Sequence, residues 1–255
     1  MRGILRFLLP ALLCAGAAAA APVTFQDTMA QRTLACTSCH GKEGRAGPDG
    51  YYPRIAGKPA GYLYGQLLHF REGRRHYGLM AGLLETLSDD YLFQVAQHFA
   101  NLDLPYAAPQ AASAPPEVLQ RGRSLALQGD PERRVPACAS CHGKALTGVV
   151  PNIPGLLGLP RDYLNAQLGA WRTGQRRALA PDCMAEIARR LAPDDLLAVT
   201  AWLAAEPLPH NPKAVPAEPP PAPRRKGRKA QPPPAPEPPP MRCGFAQPPV
   251  AGAQR

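Results

Sequence analysis

Two five-residue clusters carry the chemistry of this chain: Cys36-Thr37-Ser38-Cys39-His40 and Cys138-Ala139-Ser140-Cys141-His142. Cysteines three apart on a helical turn share a face, so both thiols can form thioethers to one planar ring. The histidine that follows can turn its imidazole toward an iron held in that ring. This spacing reads as c-type haem attachment. A redox dithiol or half of a zinc site also uses paired cysteines. A dithiol leaves the adjacent histidine unexplained. A zinc shared by both pairs makes it coincidence that each is followed by His and then by Gly-Lys (Gly41-Lys42, Gly143-Lys144). Two copies imply two covalently bound haem groups and predict electron transfer.

Iron held by one histidine needs a second axial partner or keeps an open position. After His142 the only histidine is His210, and the methionines are Met184 and Met241; His210 and Met241 fall in a proline-rich C-terminal region. Met184 is therefore the expected second ligand, and by repeat symmetry Met80 serves the first half. The competing reading makes both ordinary core methionines. His69, His76 and His98 lack counterparts in the second half and read as surface or core residues. The expected metal ligands are thus His40, Met80, His142 and Met184, with Cys36, Cys39, Cys138 and Cys141 as haem anchors. A neutral sulfur ligand favours Fe(II) and raises the reduction potential. With its sixth position filled, an iron has no place for oxygen or peroxide. The pattern predicts a carrier with no catalytic residues rather than an enzyme.

The elements that must position these residues repeat with a period of roughly 100 residues. Pro53-Arg54-Ile55-Ala56-Gly57 pairs with Pro151-Asn152-Ile153-Pro154-Gly155, and Tyr62-Leu63-x-x-Gln66-Leu67 with Tyr163-Leu164-x-x-Gln167-Leu168. Phe70-Arg71-x-Gly73 pairs with Trp171-Arg172-x-Gly174, and Met80 and Met184 each precede a leucine by seven residues (Leu87, Leu191). Each half predicts a helix into the haem motif (24–35, 116–128), a Gly- and Pro-rich loop, and a middle helix (61–71, 161–172) stopped by glycine. A loop carries the methionine. A last helix follows, capped by Ser88 in one half and started by Pro193 in the other. Tyr62, Tyr163, Gln66, Gln167 and Trp171 read mainly as packing residues near a haem edge or between halves. The expected fold is all-α: two tandem haem domains, each a few helices wrapped round its cofactor. Halves of this size are small for an independent core, and a covalent haem supplies the missing apolar surface.

Composition divides the chain further. Arg2 and Arg6, an apolar run and an alanine-rich stretch make 1–21 a cleavable export signal, with an uncleaved anchor as the competing reading. Cys14 is a poor lipoprotein site because bulky Leu13 precedes it. The expected divisions are domain 1 at 22–105, an Ala- and Pro-rich linker at 106–115, domain 2 at 116–206, and a basic disordered tail at 207–255. Export to the periplasm fits both haem attachment and a disulfide between the two spare cysteines, Cys183 and Cys243. The formal net charge is +10, yet Lys and Arg balance Asp and Glu at 8 each in 22–105 and stand at 11 to 9 in 116–206. The tail holds 8 against 2, with Arg224-Arg225-Lys226-Gly227-Arg228-Lys229 at its centre, and 17 prolines in 49 residues. No basic folded patch with interleaved aromatics points to nucleic acid.

These motifs, over about residues 25–205, resemble the dihaem cytochrome c4 family within the class I cytochrome c superfamily. The resemblance implies two helical domains about a pseudo-twofold axis with neighbouring haem edges, working in periplasmic respiration. It also implies that a proline carbonyl, at Pro53 and Pro151, accepts a hydrogen bond from the ligating histidine and fixes its ring. Family members often carry Met-Met-Ala-Pro in the ligand loop; here the loops read Leu79-Met80-Ala81-Gly82 and Cys183-Met184-Ala185-Glu186. Cys183 beside Met184 opens a thiolate-ligand reading as well as the disulfide. Three functions follow in order: a dihaem shuttle between respiratory partners, the cytochrome subunit of a periplasmic dehydrogenase complex, and a dihaem peroxidase. The expected partners are a terminal oxidase, a quinol-cytochrome c oxidoreductase or a dehydrogenase. The basic tail suits an acidic partner or an anionic membrane surface.

Overall fold

The computed structural model describes residues 26–47, 49–217 and 241–249 of the 255-residue chain. The export-signal reading of 1–21 and the basic run at 224–229 lie outside them. In the first half, α1 (Met29–Arg32) and α2 (Leu34–His40) lead into a 3-10 turn (Lys42–Gly44), then α3 (Ala60–Arg71), α4 (Gly78–Leu84) and α5 (Asp89–Ala100). In the second, α6 (Pro116–Leu127), α7 (Cys138–His142), α8 (Arg161–Thr173), α9 (Cys183–Arg190) and α10 (Pro193–Ala205) repeat the plan. A two-residue antiparallel pair, β1 (Gly148–Val149) and β2 (Ile153–Pro154), is added between α7 and α8. The fold is mostly helical, with one core in each half.

Local chemistry sets most boundaries. The Ser88 hydroxyl accepts from the Tyr91 amide at 3.3 Å and starts α5. Pro193 occupies the first turn of α10, and Gly174 caps α8 in the left-handed region at φ 77°. The approach to the haem motif differs between halves. In the first, Thr33 breaks one continuous run into α1 and α2, its hydroxyl bonding back to Met29 O at 2.7 Å. In the second, a ten-residue loop (128–137) stapled by Asp130 and Val135 separates α6 from α7. Both methionines sit in short helices instead of loops. The apolar run Gly78–Leu84 forms α4, and Asp182 caps α9 by accepting from the Ala185 amide at 3.0 Å.

Core one gathers Leu63, Tyr64, Leu68, Leu92, Val95 and Phe99; core two gathers Leu125, Leu157, Leu164, Val199, Trp202 and Leu203. Helices α6 and α10 meet where Gly122 lies against the Ala198 carbonyl, so close that a Cβ would stand 2.2 Å from that oxygen. Beside this crossing Arg121 grips Asp195 through two hydrogen bonds, at 2.7 and 2.9 Å. The end of the first half and the linker after it both lie against folded elements. Arg54 donates to the Leu104 and Pro105 carbonyls, and the Gln110 amide donates to Ala204 O at 3.0 Å.

Two stretches of the C-terminal region have defined places, so disorder does not extend over all of 207–255. Val215 exchanges backbone hydrogen bonds with Gly148 and Val150, and Leu208 packs on core two. Residues 241–249 return to the fold through a Cys183–Cys243 disulfide. That bond accounts for both spare cysteines and removes the thiolate-ligand reading of Cys183.

The halves meet about an approximate twofold. The His76 amide donates to Gln175 O at 3.0 Å, and the Arg177 amide donates to Arg74 O at 2.7 Å. Around this bridge Arg75 reaches Gln167 at 2.7 Å and Gln66 at 3.1 Å, while Arg176 reaches Gln66 and Gln167 at 2.8 Å each. Each guanidinium also meets the tyrosine of the other half, Arg75 at Tyr163 and Arg176 at Tyr62. Tyr62, Tyr163, Gln66 and Gln167 therefore work between the halves.

Candidate functional site

Both Cys-x-x-Cys-His motifs are helical, on α2 and α7, and their histidines end those helices, buried. His40 Nδ1 lies 2.8 Å from Pro53 O, and His142 Nδ1 lies 2.7 Å from Pro154 O. A carbonyl only accepts, so Nδ1 carries the proton and Nε2 keeps its lone pair for a metal. Burial lowers the pKa of both histidines and favours this neutral form.

The second of these bonds corrects the sequence expectation. Pro151 does not serve His142; its carbonyl accepts the Tyr62 amide of the other half at 3.1 Å. The Pro-x-Ile-x-Gly string at 151–155 lies three residues too early. Pro53, Gly57, Pro59 and Tyr62 recur as Pro154, Gly158, Pro160 and Tyr163 with an unchanged offset, and both glycines hold φ near 70°. Spacing back from the middle helix, set by packing, decides which carbonyl meets the imidazole.

Both motifs open on one cavity of about 1110 Å³ that runs between the halves. Cys36, His40 and Met80 line it from the first half, and Cys138, Cys141, His142 and Met184 from the second. It exceeds the roughly 300–1,000 Å³ usual for one small-molecule site. A side pocket of about 50 Å³ brings Cys36, Cys39 and His40 beside Met80. Two equivalent arginines hold the methionine segments: Arg71 donates to Leu87 O at 2.8 Å and Arg172 to Leu191 O at 2.7 Å. His69 also lines the cavity, but its Nδ1 accepts from Arg74 Nε at 3.0 Å; His98 packs on Phe99 away from it.

The thiols do not resemble an activated dithiol. Burial pushes Cys138 up to about 11 and also raises Cys36 and Cys141, whereas a reactive dithiol needs a depressed value. Among the described residues no three His, Cys, Asp or Glu side chains gather as a metal cluster.

The cavity wall is short of anions. Arg176 is 4% exposed and stacks on Trp171 at 3.8 Å, and Arg75 stacks on Phe70 at 4.4 Å. Neither guanidinium has an ion-pair carboxylate among the described residues, and the buried Trp171 Nε1 donor has no partner there. A buried cation without a counter-charge is costly. Haem carries two carboxylates, so the guanidiniums without a counter-charge and the unpartnered indole N–H fit the group that the cysteines and histidines also fit. Sequence reasoning missed Arg75 and Arg176; the signal was their equal spacing beyond Gly73 and Gly174.

No family model matches the chain. The thiosulfate dehydrogenase electron acceptor of Thiomonas intermedia (strain K12) is 38% identical over 176 residues, covering 68% of this chain and 79% of that protein. Cytochrome c4 of Thiocapsa roseopersicina is 32% identical over 171 residues, covering 66% and 85%. Among solved structures, thiosulfate dehydrogenase (TsdBA) from Marichromatium purpuratum superposes with a TM-score of 0.60 at 36% identity. The match covers 68% of this chain but only 36% of that one.

Proposed function

The chain belongs to the dihaem cytochrome c4 family, carries two covalently bound haem c groups and transfers electrons, and we propose that it does so in the periplasm with His40 and Met80 on one iron and His142 and Met184 on the other. Cys36 with Cys39, and Cys138 with Cys141, form the thioethers. Bound haem supplies a one-electron Fe(II)/Fe(III) couple. The protein supplies everything that tunes it. The Pro53 and Pro154 carbonyls hold each imidazole proton on Nδ1 and strengthen Nε2 as a donor. Arg71 and Arg172 hold the methionine segments in place. With haem bound, Arg75 and Arg176 would offset the charge of its carboxylates between the halves, and the Trp171 indole N–H would be free to donate to one.

The observation that carries this reading is the symmetric pair: one Nδ1-anchored histidine and one methionine per half, all on a single cavity. With both sixth positions filled, the protein is a carrier and not a peroxidase. The weak far-red Met-to-iron band of the oxidised protein tests it. Intensity for two haems in the wild type, and half that in Met80→Ala and in Met184→Ala, is expected. A wild-type band worth only one haem, or peroxide turnover by half-reduced protein, would remove the carrier reading.

Similarity to a thiosulfate dehydrogenase electron acceptor favours one donor over the other respiratory partners. We infer that the chain takes electrons from a dehydrogenase acting on a sulfur oxyanion such as thiosulfate, and passes them to an oxidase-side acceptor. Stopped-flow reduction by such an enzyme with thiosulfate checks this, and rates no faster than with an unrelated reductase would count against it. The basic segment within 218–240 serves electrostatic docking. Its deletion should slow reduction by an acidic partner at low salt and leave haem spectra unchanged.

A further inference from the structure

Residues 241–249 lie outside the haem-domain repeat, yet they touch both halves. The Cys183–Cys243 disulfide ties the segment to the start of α9, beside Met184. One residue on, the Gly244 amide donates to Pro181 O at 3.0 Å. A Cβ at Gly244 would stand 2.5 Å from the Leu179 and Ala180 carbonyls, so only glycine lets the segment lie this close. Two residues later Ala246 is 7% exposed within core one, among the side chains of α3 and α5. Its Cβ faces Gly65 of α3, where a Cβ would be 3.8 Å away. Met241, Cys243, Gly244, Phe245 and Ala246 form part of the cavity wall.

Apart from this segment and Leu179, which packs on core one, the contacts between the halves are largely polar: the arginine, glutamine and tyrosine set, the backbone bridge, and Lys58 Nζ on Gly155 O at 3.3 Å. Domains joined through polar contacts move relative to each other by default. We propose that residues 241–249 are a clasp, covalent on domain two and seated by Ala246 in the core of domain one, that fixes the two haem domains together and seals their shared cavity along that edge. The clasp transmits a constraint across the molecule: a bond made on domain two protects a helix of domain one. Electron exchange between two sites depends steeply on their separation, so the clasp holds that separation constant.

The test uses full-length holoprotein and two variants. The double variant Cys183→Ser with Cys243→Ser opens the tether and leaves no free thiol beside Met184. Ala246→Gln keeps the tether and unseats the segment. Amide hydrogen exchange read by mass spectrometry over α3 is the first measurement, and access of added imidazole to the ferric irons the second. Both variants should speed exchange in α3 by about tenfold, as loss of a local buried contact does, and should bind imidazole at lower concentration. Unchanged α3 exchange in both variants would overturn the clasp, as would a change confined to α9 in the tether variant. The imidazole readout rests on the dihaem reading, but the exchange readout does not. Faster α3 exchange in both variants of a protein that shows no haem absorbance would count against the haem assignment alone.

Discussion

The crossing of α6 and α10 sets two opposing effects against each other at Gly122. Alanine in a helix interior is better than glycine by about 0.5–1 kcal/mol. At Gly122, however, a Cβ would sit 2.2 Å from Ala198 O, 2.7 Å from Ala198 C and 2.9 Å from Trp202 Cβ. Two of these atoms are backbone, so no rotamer relieves the clash and the helices must part by roughly an ångström. That separation loosens Leu125, Ala126 and Val199, all almost wholly buried. Overpacking a tight core costs about 1–3 kcal/mol, and this contact belongs at the upper end. Gly122→Ala should therefore lower stability by about 2 kcal/mol after its helical gain. Gly169 provides the control. It lies inside α8, where an added Cβ would meet nothing within 4 Å, so Gly169→Ala should raise stability by about 0.5–1 kcal/mol. Urea denaturation of the two holoproteins, followed by far-UV circular dichroism, measures both. A Gly122→Ala protein as stable as the wild type would refute the reasoning. So would two variants shifting in the same direction.

Three further outcomes are expected. Lys58 is buried, and burial, with Arg54 close by, pushes it down to about 8 from 10.5. The unfolded chain holds the extra proton between those values, so this group costs stability below pH 8 and that cost fades as pH rises to 10.5. The stability gap between Lys58→Met and the wild type should shrink by about 3 kcal/mol from about pH 7 to 10.5; a gap independent of pH would contradict it. Asp195→Ala removes two hydrogen bonds from Arg121 beside the α6–α10 crossing but leaves its 2.8 Å pair with Asp130, and should cost about 1 kcal/mol in the same urea assay. Protein produced without haem should lack a native-like near-UV circular dichroism spectrum, because each half is small and the cavity walls would lose their central partner.

Much of the site was legible because its chemistry is local. Cys-x-x-Cys-His names three site residues within five positions; Met184 lines the cavity, but so does Met241, which composition alone assigns to the tail. Where the reading slipped, tertiary packing decided. Pro151 and Pro154 both precede the middle helix, and only the distance back from Tyr163 selects the second. Both methionines looked like loop residues, since α4 and α9 are too short to show a period. Arg75 and Arg176 carry no mark in the sequence because exposed arginines are ordinary; the burial of Arg176 and the half-burial of Arg75 become visible only when the halves are brought together. The return of the C-terminus rested on one countable fact, two cysteines without another task, while its docking through Ala246 left no mark in composition.

The backbone bridge between the halves has a consequence for ancestry. His76 to Gln175 and Arg177 to Arg74 are the same bond made twice in opposite directions. Such a contact is isologous, the kind that two identical subunits make. A single-haem ancestor bearing one copy of this edge already held both sides of it and would pair with its own twin. Joining two copies of such a half in one chain would need no new interface. Once the copies could diverge, residues facing the same boundary no longer had to match. Lys58 on one side and Leu159 at the equivalent position on the other record that release.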